Sequence, residues 1–195
     1  EMWDFLEDIR TGNYSSKTTA KLANFEDWVI EDLVGNTNIC YRNKTRKYVN
    51  KIIEDYLIQG KEFRSIPYEG EANNYNQDVR LFVGAKLLMY KTIKNSDTNE
   101  RILAKNETVI VKMLGESNYL IENESGMTHE LPYDKFHTDC ILGYATTIHK
   151  SQGDTVKGRL NIFDLEFITD WLKDKRALYT ALSRATSLEN IRIMN

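Results

Sequence analysis

The sequence predicts an α/β fold in which a parallel sheet is flanked by helices and interrupted by a β-rich insertion. Three observations support this prediction. Helical periodicity alternates with short apolar strands from Glu1 to about Tyr68, which is typical of the strand, helix, strand order of a parallel sheet. Residues 79–138 instead contain short β-type runs separated by turn residues. From about residue 139 onward, strands and helices alternate again.

The first section is mainly helical. An opening helix has an apolar face that contains Phe5, Leu6 and Ile9. A long helix has Val49 and Ile53 on its apolar side and ends before a glycine. The other elements predicted in this section are a helix around 25–33, a strand at 37–41 and a strand at 63–67.

The middle section has the composition of a small β-barrel or hairpin assembly. Its predicted strands lie at 86–91, 108–114, 118–122 and 127–131. Asparagine-rich and glycine-containing segments between them supply the turns. We therefore predict one domain formed by residues 1–78 and 139–195, with residues 79–138 inserted as a subdomain. The last section is predicted to hold strands at 160–163 and 191–194 and two helices between them.

Composition limits the classes of protein to consider. The chain has 195 residues, is 41% hydrophobic and carries a net charge of -3, so it can bury a core but cannot bind nucleic acid by bulk electrostatics. Cys40 and Cys140 are the only cysteines, without metal or redox spacing, and both are expected to be reduced and structural. Neither a signal peptide nor an apolar stretch of roughly 20 residues occurs. We expect a soluble intracellular protein without a membrane partner, in the nucleus, the cytoplasm or a viral replication site.

Two segments carry the chemistry. In residues 144–153 an apolar run leads into Thr-Ile-His-Lys-Ser-Gln-Gly, whose hydroxyl, imidazole, ammonium and amide groups beside a glycine suit close contact with phosphate oxygens. This segment predicts a strand, a polar turn and a helix. In residues 178–185, Leu178 and Leu182 recur at helical spacing and leave Arg184 off the apolar stripe. The planar guanidinium of Arg184 is suited to bidentate contact with phosphate.

These two segments resemble motifs V and VI of superfamily 1 helicases with a UvrD-type C-terminal domain, most closely the 1B branch with its RecD-like and Dda-like DNA helicases. Residues 5–12 resemble the helix and glycine that follow motif III of this branch. Residues 39–44, with Val49 and Asn50, are similar to motif IV, and residues 83–89 resemble the strand before the inserted barrel. The resemblance covers almost the whole chain. It implies the second RecA-like domain of a DNA helicase, with a small inserted SH3-like β-barrel.

The resemblance also implies roles for individual residues. Arg184 and Gln152 are the implied catalytic residues, with Arg184 as an arginine finger, and Arg42 and Gly153 would contact the nucleotide. Travel along the strand from 5′ to 3′ is implied as well. The residues that would hold the phosphates of single-stranded DNA are Thr146, Thr147, His149, Lys150 and Ser151.

The sequence lacks the segments that bind the nucleotide phosphates and the metal. It contains no Gly-x-x-x-x-Gly-Lys-Ser/Thr, and no Asp-Glu pair ends an apolar strand. ATP and Mg²⁺ are therefore expected to bind mainly to a missing N-terminal RecA-like domain of the same protein, and this chain alone is expected to be inactive. Replication or repair proteins are further expected partners.

Two other functions and several simpler explanations stay open at this point. A superfamily 1 RNA helicase of the viral type has similar motifs, although Ala185 stands where that group tends to have histidine. A RecA-like domain without motor activity could serve as a nucleic-acid-binding scaffold. His149 and the hydroxyls around it could begin a helix, and Arg184 could complement the negative end of its own helix. Trp28 and Tyr41 could simply pack in the core.

Overall fold

The computed structural model describes residues 1–71, 73, 75–95, 97–151, 155–156, 158–171 and 173–195. The helices are α1 (Met2–Thr11), α2 (Ser16–Ala23), α3 (Ile30–Leu33), α4 (Asn43–Leu57), α5 (Phe136–Asp139) and α6 (Lys175–Leu182). A π-helical segment spans Phe167–Trp171, and 3₁₀ turns span Tyr133–Lys135 and Leu188–Asn190. The strands are β1 (Phe25–Glu26), β2 (Thr37–Cys40), β3 (Phe63–Ile66), β4 (Val79–Phe82), β5 (Lys86–Met89), β6 (Ile93–Lys94), β7 (Arg101–Leu103), β8 (Thr108–Leu114), β9 (Asn118–Asn123), β10 (Thr128–Pro132), β11 (Cys140–Leu142), β12 (Ala145–Thr147), β13 (Leu160–Ile162) and β14 (Ile191–Met194).

Residues 1–49 and 145–195 form the first of two compact units. Its centre is a five-stranded sheet in the order β1, β14, β13, β2, β12, and every neighbouring pair is parallel. Parallel strands need helical crossovers that cover the faces of the sheet. The first unit is therefore the helix-flanked parallel sheet that the sequence predicts.

One face of this sheet forms the core with α1 and α6. Apolar residues of β2, β13 and β14 pack there against Phe5 and Ile9 of α1 and Leu178 and Leu182 of α6. These side chains are buried, and each fully buried aliphatic or aromatic side chain of this size contributes about 1.5–3 kcal/mol. Helix α1 ends at Gly12, whose left-handed φ of 79° allows its N–H to bond back to the carbonyl of Asp8.

Residues 50–144 form the second unit. An antiparallel sheet runs in the order β10, β9, β8, β5, β11, and two hairpins pair β3 with β4 and β6 with β7. Val109, Val111 and Ile121 are fully buried along β8 and β9. The β-rich character predicted for the middle of the chain is present here. The SH3-like barrel and the domain boundaries at residues 78 and 139 stay predictions.

Two predicted elements differ from the structure, and one observed helix was not predicted. The helix expected around 25–33 is replaced by β1 and the short α3, because Phe25 pairs with Ile193 at the edge of the parallel sheet. Helix α2 instead begins after Ser15, whose hydroxyl accepts the N–H of Thr18 at 3.2 Å. Strand β3 is not part of the parallel sheet; the polar segment after it lets the chain return as β4 in an antiparallel hairpin.

Both cysteines are buried and free. Burial raises the pKa of Cys40 well above its ordinary value, and the neighbouring Asp164 carboxylate raises it further. Burial also raises the pKa of Cys140 to about 12, against the opposing effect of a contact with the Tyr119 hydroxyl at 3.3 Å. The described residues contain no group of three or more His, Cys, Asp or Glu side chains able to hold a metal. None of their helices has the length and apolarity required to cross a membrane.

A buried carboxylate joins α4 to β4 in the second unit. The Glu54 side chain is fully buried and accepts the backbone N–H of Arg80 at 2.6 Å and its Nη2 at 2.9 Å. Lys51 Nζ donates to the same carboxylate at 2.7 Å. Asp55 contacts the same two cations, but its side chain is 50% exposed.

We expect Glu54→Ala to lower the free energy of unfolding by about 3 kcal/mol, because it leaves two cations without their buried partner. Asp55→Ala removes an exposed partner of the same cations and should cost less than about 1 kcal/mol. Urea unfolding of the two variants beside the unmodified chain measures the difference. Equal losses in the free energy of unfolding would show that burial does not increase the contribution of Glu54 to stability.

Candidate functional site

The segments that resemble motifs IV and V leave the same edge of the parallel sheet. Strands β2 and β12 are neighbours, and Thr147 lies opposite Cys40 at their carboxyl ends. The N–H of Ile148 continues the pairing by donating to the Cys40 carbonyl at 3.1 Å. In open α/β sheets, ligands bind at the carboxyl ends of the strands. The two segments are thus placed where an α/β protein holds its ligand.

A tight turn follows β12. The N–H groups of Lys150 and Ser151 donate to the carbonyl of Thr147 at 3.0 and 3.1 Å, and the Ser151 hydroxyl donates to the carbonyl of Ile148 at 2.9 Å. Thr147 and Ser151 are buried, so they shape the turn from within. The helix predicted after this turn is absent among the described residues between 148 and 160; Val156 there pairs in an extended bridge instead.

The turn offers unequal access to its predicted site residues. His149 is exposed, whereas Lys150 is half-buried and its ammonium is shielded from solvent. The Thr146 hydroxyl is buried and has no hydrogen-bond partner within the part of the chain that the structure describes. Gln152 and Gly153 lie outside the described residues. His149 is therefore the most accessible of the predicted phosphate-holding residues that are described.

Arg184 lies just beyond the last turn of α6. Its Nε donates to the carbonyl of Thr180 and its Nη2 to the hydroxyl of Ser183, both at 3.0 Å. A cation at this position is stabilised by the negative end of the helix dipole, which is the simpler explanation for Arg184. The Arg184 carbonyl accepts the N–H of Val156 at 2.8 Å, and Val156 forms a parallel bridge with Ala185. The backbone that bears Arg184 is thereby fixed to the segment that follows the turn after β12.

Asp164 is a residue of this site that the sequence prediction missed. It lies two residues after the end of β13, has a left-handed φ of 65°, and its side chain is only 2% exposed. Its carboxylate accepts the backbone N–H groups of Tyr41 and Arg42 at 3.1 and 2.9 Å and the hydroxyl of Thr45 at 2.7 Å. A polar residue immediately after the strand predicted at 160–163 was the available signal.

The same carboxylate holds the side chain of Arg42. Nε and Nη2 of Arg42 donate to Asp164 Oδ1 at 2.9 and 2.6 Å, while the arginine side chain remains 48% exposed. The guanidinium carbon lies 5.0 Å from the centre of the Phe167 ring, within the range of a cation–π contact. Arg42 is thus oriented at the sheet edge by two neighbours. Its predicted contact with a nucleotide stays a prediction.

Comparison with known proteins connects this arrangement to solved structures. No protein-family model matches the sequence, and a search of curated proteins finds no match. Among solved structures, the chain is similar to Bacteroides Pif1 bound to ssDNA, with a TM-score of 0.68 and 19% identity over 97% of this chain and 47% of that one. A Bacteroides Pif1 helicase in complex with ADP-AlF3 and ssDNA gives 0.64 and 19%, covering 98% and 48% of the two chains. The Pif1 helicase from Candida albicans gives 0.64 and 16%, covering 100% and 53%.

The chain therefore has the fold of a RecA-like helicase domain, as the sequence predicts. More particularly, it is the fold of one part of the Pif1 helicases, which are members of superfamily 1B. The chain spans about half the length of these solved structures.

We expect Asp164→Asn to lower the free energy of unfolding by about 2 kcal/mol. Asparagine tolerates the left-handed backbone at this position, but its amide group would place a donor against the donors of Tyr41 and Arg42. Glu166→Gln is the matched control, because Glu166 is an exposed carboxylate two residues away. Urea unfolding of both variants measures the effect, and an Asp164→Asn variant as stable as the control would contradict it.

Proposed function

We propose that the chain is the C-terminal motor domain of an ATP-dependent superfamily 1B DNA helicase. The observation that carries the proposal is the convergence of three motif-bearing segments in the first unit. The β2–β12 pairing brings the segments of Arg42 and His149 to one sheet edge, and the Val156–Ala185 bridge ties the segment of Arg184 to the chain after the turn. The similarity to Pif1 structures supports this proposal.

In this proposal the turn after β12 holds the phosphates of single-stranded DNA. His149 is exposed to a ligand, and Lys150 supplies a positive charge at the same turn. Thr147 and Ser151 keep the turn in shape, and the hydroxyl of Thr146 is buried beside them. Contacts to phosphates carry no sequence information, so the domain binds strands of any sequence. A local cluster of this kind is compatible with a net charge of -3.

Arg184 and Gln152 act on ATP that is held by the N-terminal RecA-like domain of the complete protein. An arginine presented to the γ-phosphate stabilises the charge of the transition state and can raise the rate by about 10³-fold or more. Arg42 and Gly153 contact the nucleotide beside it. Mg²⁺ is assigned to the N-terminal domain, because this sequence contains no Gly-x-x-x-x-Gly-Lys-Ser/Thr segment whose hydroxyl could bind it. Closing and opening the cleft between the domains then moves the strand, in the 5′ to 3′ direction.

We expect Arg184→Ala in the full-length protein to abolish most strand-stimulated ATP hydrolysis, with a loss of about 10³-fold and strand binding nearly intact. Arg176→Ala is the matched control, because Arg176 is an exposed arginine on the same helix. ATP turnover is measured with and without oligothymidylate. Strand-stimulated ATP hydrolysis that persists in Arg184→Ala would show that this residue is not the arginine finger.

The same assay separates the alternative functions. Stimulation of the unmodified protein by RNA oligonucleotides and not by DNA would indicate a superfamily 1 RNA helicase. The complete absence of stimulated turnover would indicate a RecA-like scaffold without motor activity.

We expect Lys150→Met to weaken binding to strands of every sequence and to reduce the slope of log affinity against log salt by about 0.7, the value for one lost phosphate contact on a single strand. Methionine keeps most of the apolar stem and removes the charge. Lys17→Met, at an exposed lysine of α2, is the control. Fluorescence anisotropy at several salt concentrations gives both quantities, and an unchanged slope would exclude Lys150 from the phosphate contacts.

A further inference from the structure

A cavity of about 380 Å³ lies beside Arg42 in the first unit. It is lined by residues that follow four of the five parallel strands, including Trp28 after β1, Phe163 and Phe167 after β13, and Asn195 after β14. Its volume lies within the roughly 300–1,000 Å³ that is usual for small-molecule sites. The cavity therefore occupies the edge of the sheet at which α/β proteins hold their ligands.

A row of rings leads from the turn after β12 to this cavity. The ring centres of His149 and Tyr41 are 6.1 Å apart, and those of Tyr41 and Phe167 are 5.7 Å apart. We call these three residues the aromatic path. Phe167 and Tyr41 are half-buried, so each residue is partly accessible. Phe167 also begins the π-helical segment, a local geometry that often occurs at functional sites.

The walls of the cavity favour a planar aromatic ligand over a phosphate. Trp28 and Phe163 meet edge to face with ring centres 6.3 Å apart. The positive charge of Arg42 is balanced by Asp164, and Glu166 adds a negative charge to the lining. The exposed Glu166 carboxylate supplies a hydrogen-bond acceptor beside the rings. A nucleobase has the matching chemistry, with a π-face for stacking and polar edges.

We propose that the cavity receives a nucleobase of the bound single strand, which reaches it along the aromatic path. The proposal rests on the proposed function, because it places the phosphates of that strand at the turn that carries His149. Stacking on Phe167 and Trp28 then binds the base without selecting its identity. The domain therefore binds the bases of the strand as well as its phosphates.

The test compares two oligonucleotides of equal length and charge, an oligothymidylate and its fully abasic counterpart. The unmodified chain should bind the oligothymidylate more tightly. Phe167→Ala and Trp28→Ala should each weaken that binding by about 5-fold to 100-fold and leave binding of the abasic strand unchanged. Trp3→Ala, at an 81% exposed tryptophan of α1, should alter neither affinity. Fluorescence anisotropy gives the four sets of dissociation constants.

Two further variants make the result independent of folding defects. Phe167→Leu keeps an apolar side chain and removes the ring, so it should behave like Phe167→Ala, whereas Phe167→Tyr should restore the preference for bases. Circular dichroism verifies that each variant is folded.

Each other outcome overturns a stated part of the argument. Equal affinity of the unmodified chain for both strands, or variants that retain the preference for bases, would overturn the nucleobase cavity alone. Equal losses on both strands would assign Phe167 and Trp28 to the phosphate contacts or to the fold, and would overturn it as well. If the unmodified chain binds neither strand, strand binding by this domain fails, and the cavity proposal fails with it.

Discussion

The buried carboxylate of Asp164 is the interaction on which the candidate site depends. It accepts hydrogen bonds from two backbone groups at the end of β2, from a hydroxyl at the start of α4 and from the guanidinium of Arg42. A charge with only 2% of its side chain exposed is tolerated in a protein when such donors surround it. The path of the chain from β2 into α4 and the direction of Arg42 are consequences of this one group. The position of Phe167 under the guanidinium completes the arrangement.

The turn after β12 shows how a chain with a small net negative charge can present a local site. The residues that shape the turn, Thr147 and Ser151, are inside it and make their bonds to neighbouring backbone. His149 projects outside it, and its ring contacts Tyr41 of the adjacent strand. The polar residues of this short segment thus divide into structural and accessible positions. That division is set by the alternation of β12 and by the tightness of the turn.

The sequence predicts the parallel sheet, helices α1, α4 and α6 and four of the five strands of the antiparallel sheet, because those elements follow from local periodicity and turn residues. The strand at 191–194 has the bounds predicted for it, and the helix that ends before Gly60 is present as α4. The wrong predictions concern segments whose structure depends on pairing with a distant part of the chain. Phe25 becomes a strand residue because Ile193 is beside it, and β3 turns away from the parallel sheet because β4 pairs with it.

The candidate site shows the same limit. The motif residues were predicted from their order along the chain, whereas Asp164 acts through bonds to residues more than a hundred positions earlier. The sequence left open that Trp28 and Tyr41 are ordinary core residues, because periodicity does not distinguish a half-buried ring from a buried one. Their neighbours in space carry that information.

The bridge between Val156 and Ala185 has a consequence for how such domains can vary. It is made by backbone groups, but Ala185 is also buried in the core with Val156 packed against that core, so the side chains at both positions are constrained as well. The bridge fixes which backbone groups meet, because the N–H of Val156 donates to the carbonyl of Arg184 at 2.8 Å. The exposed side chains of α6 can therefore change more readily than the small residue that follows Arg184.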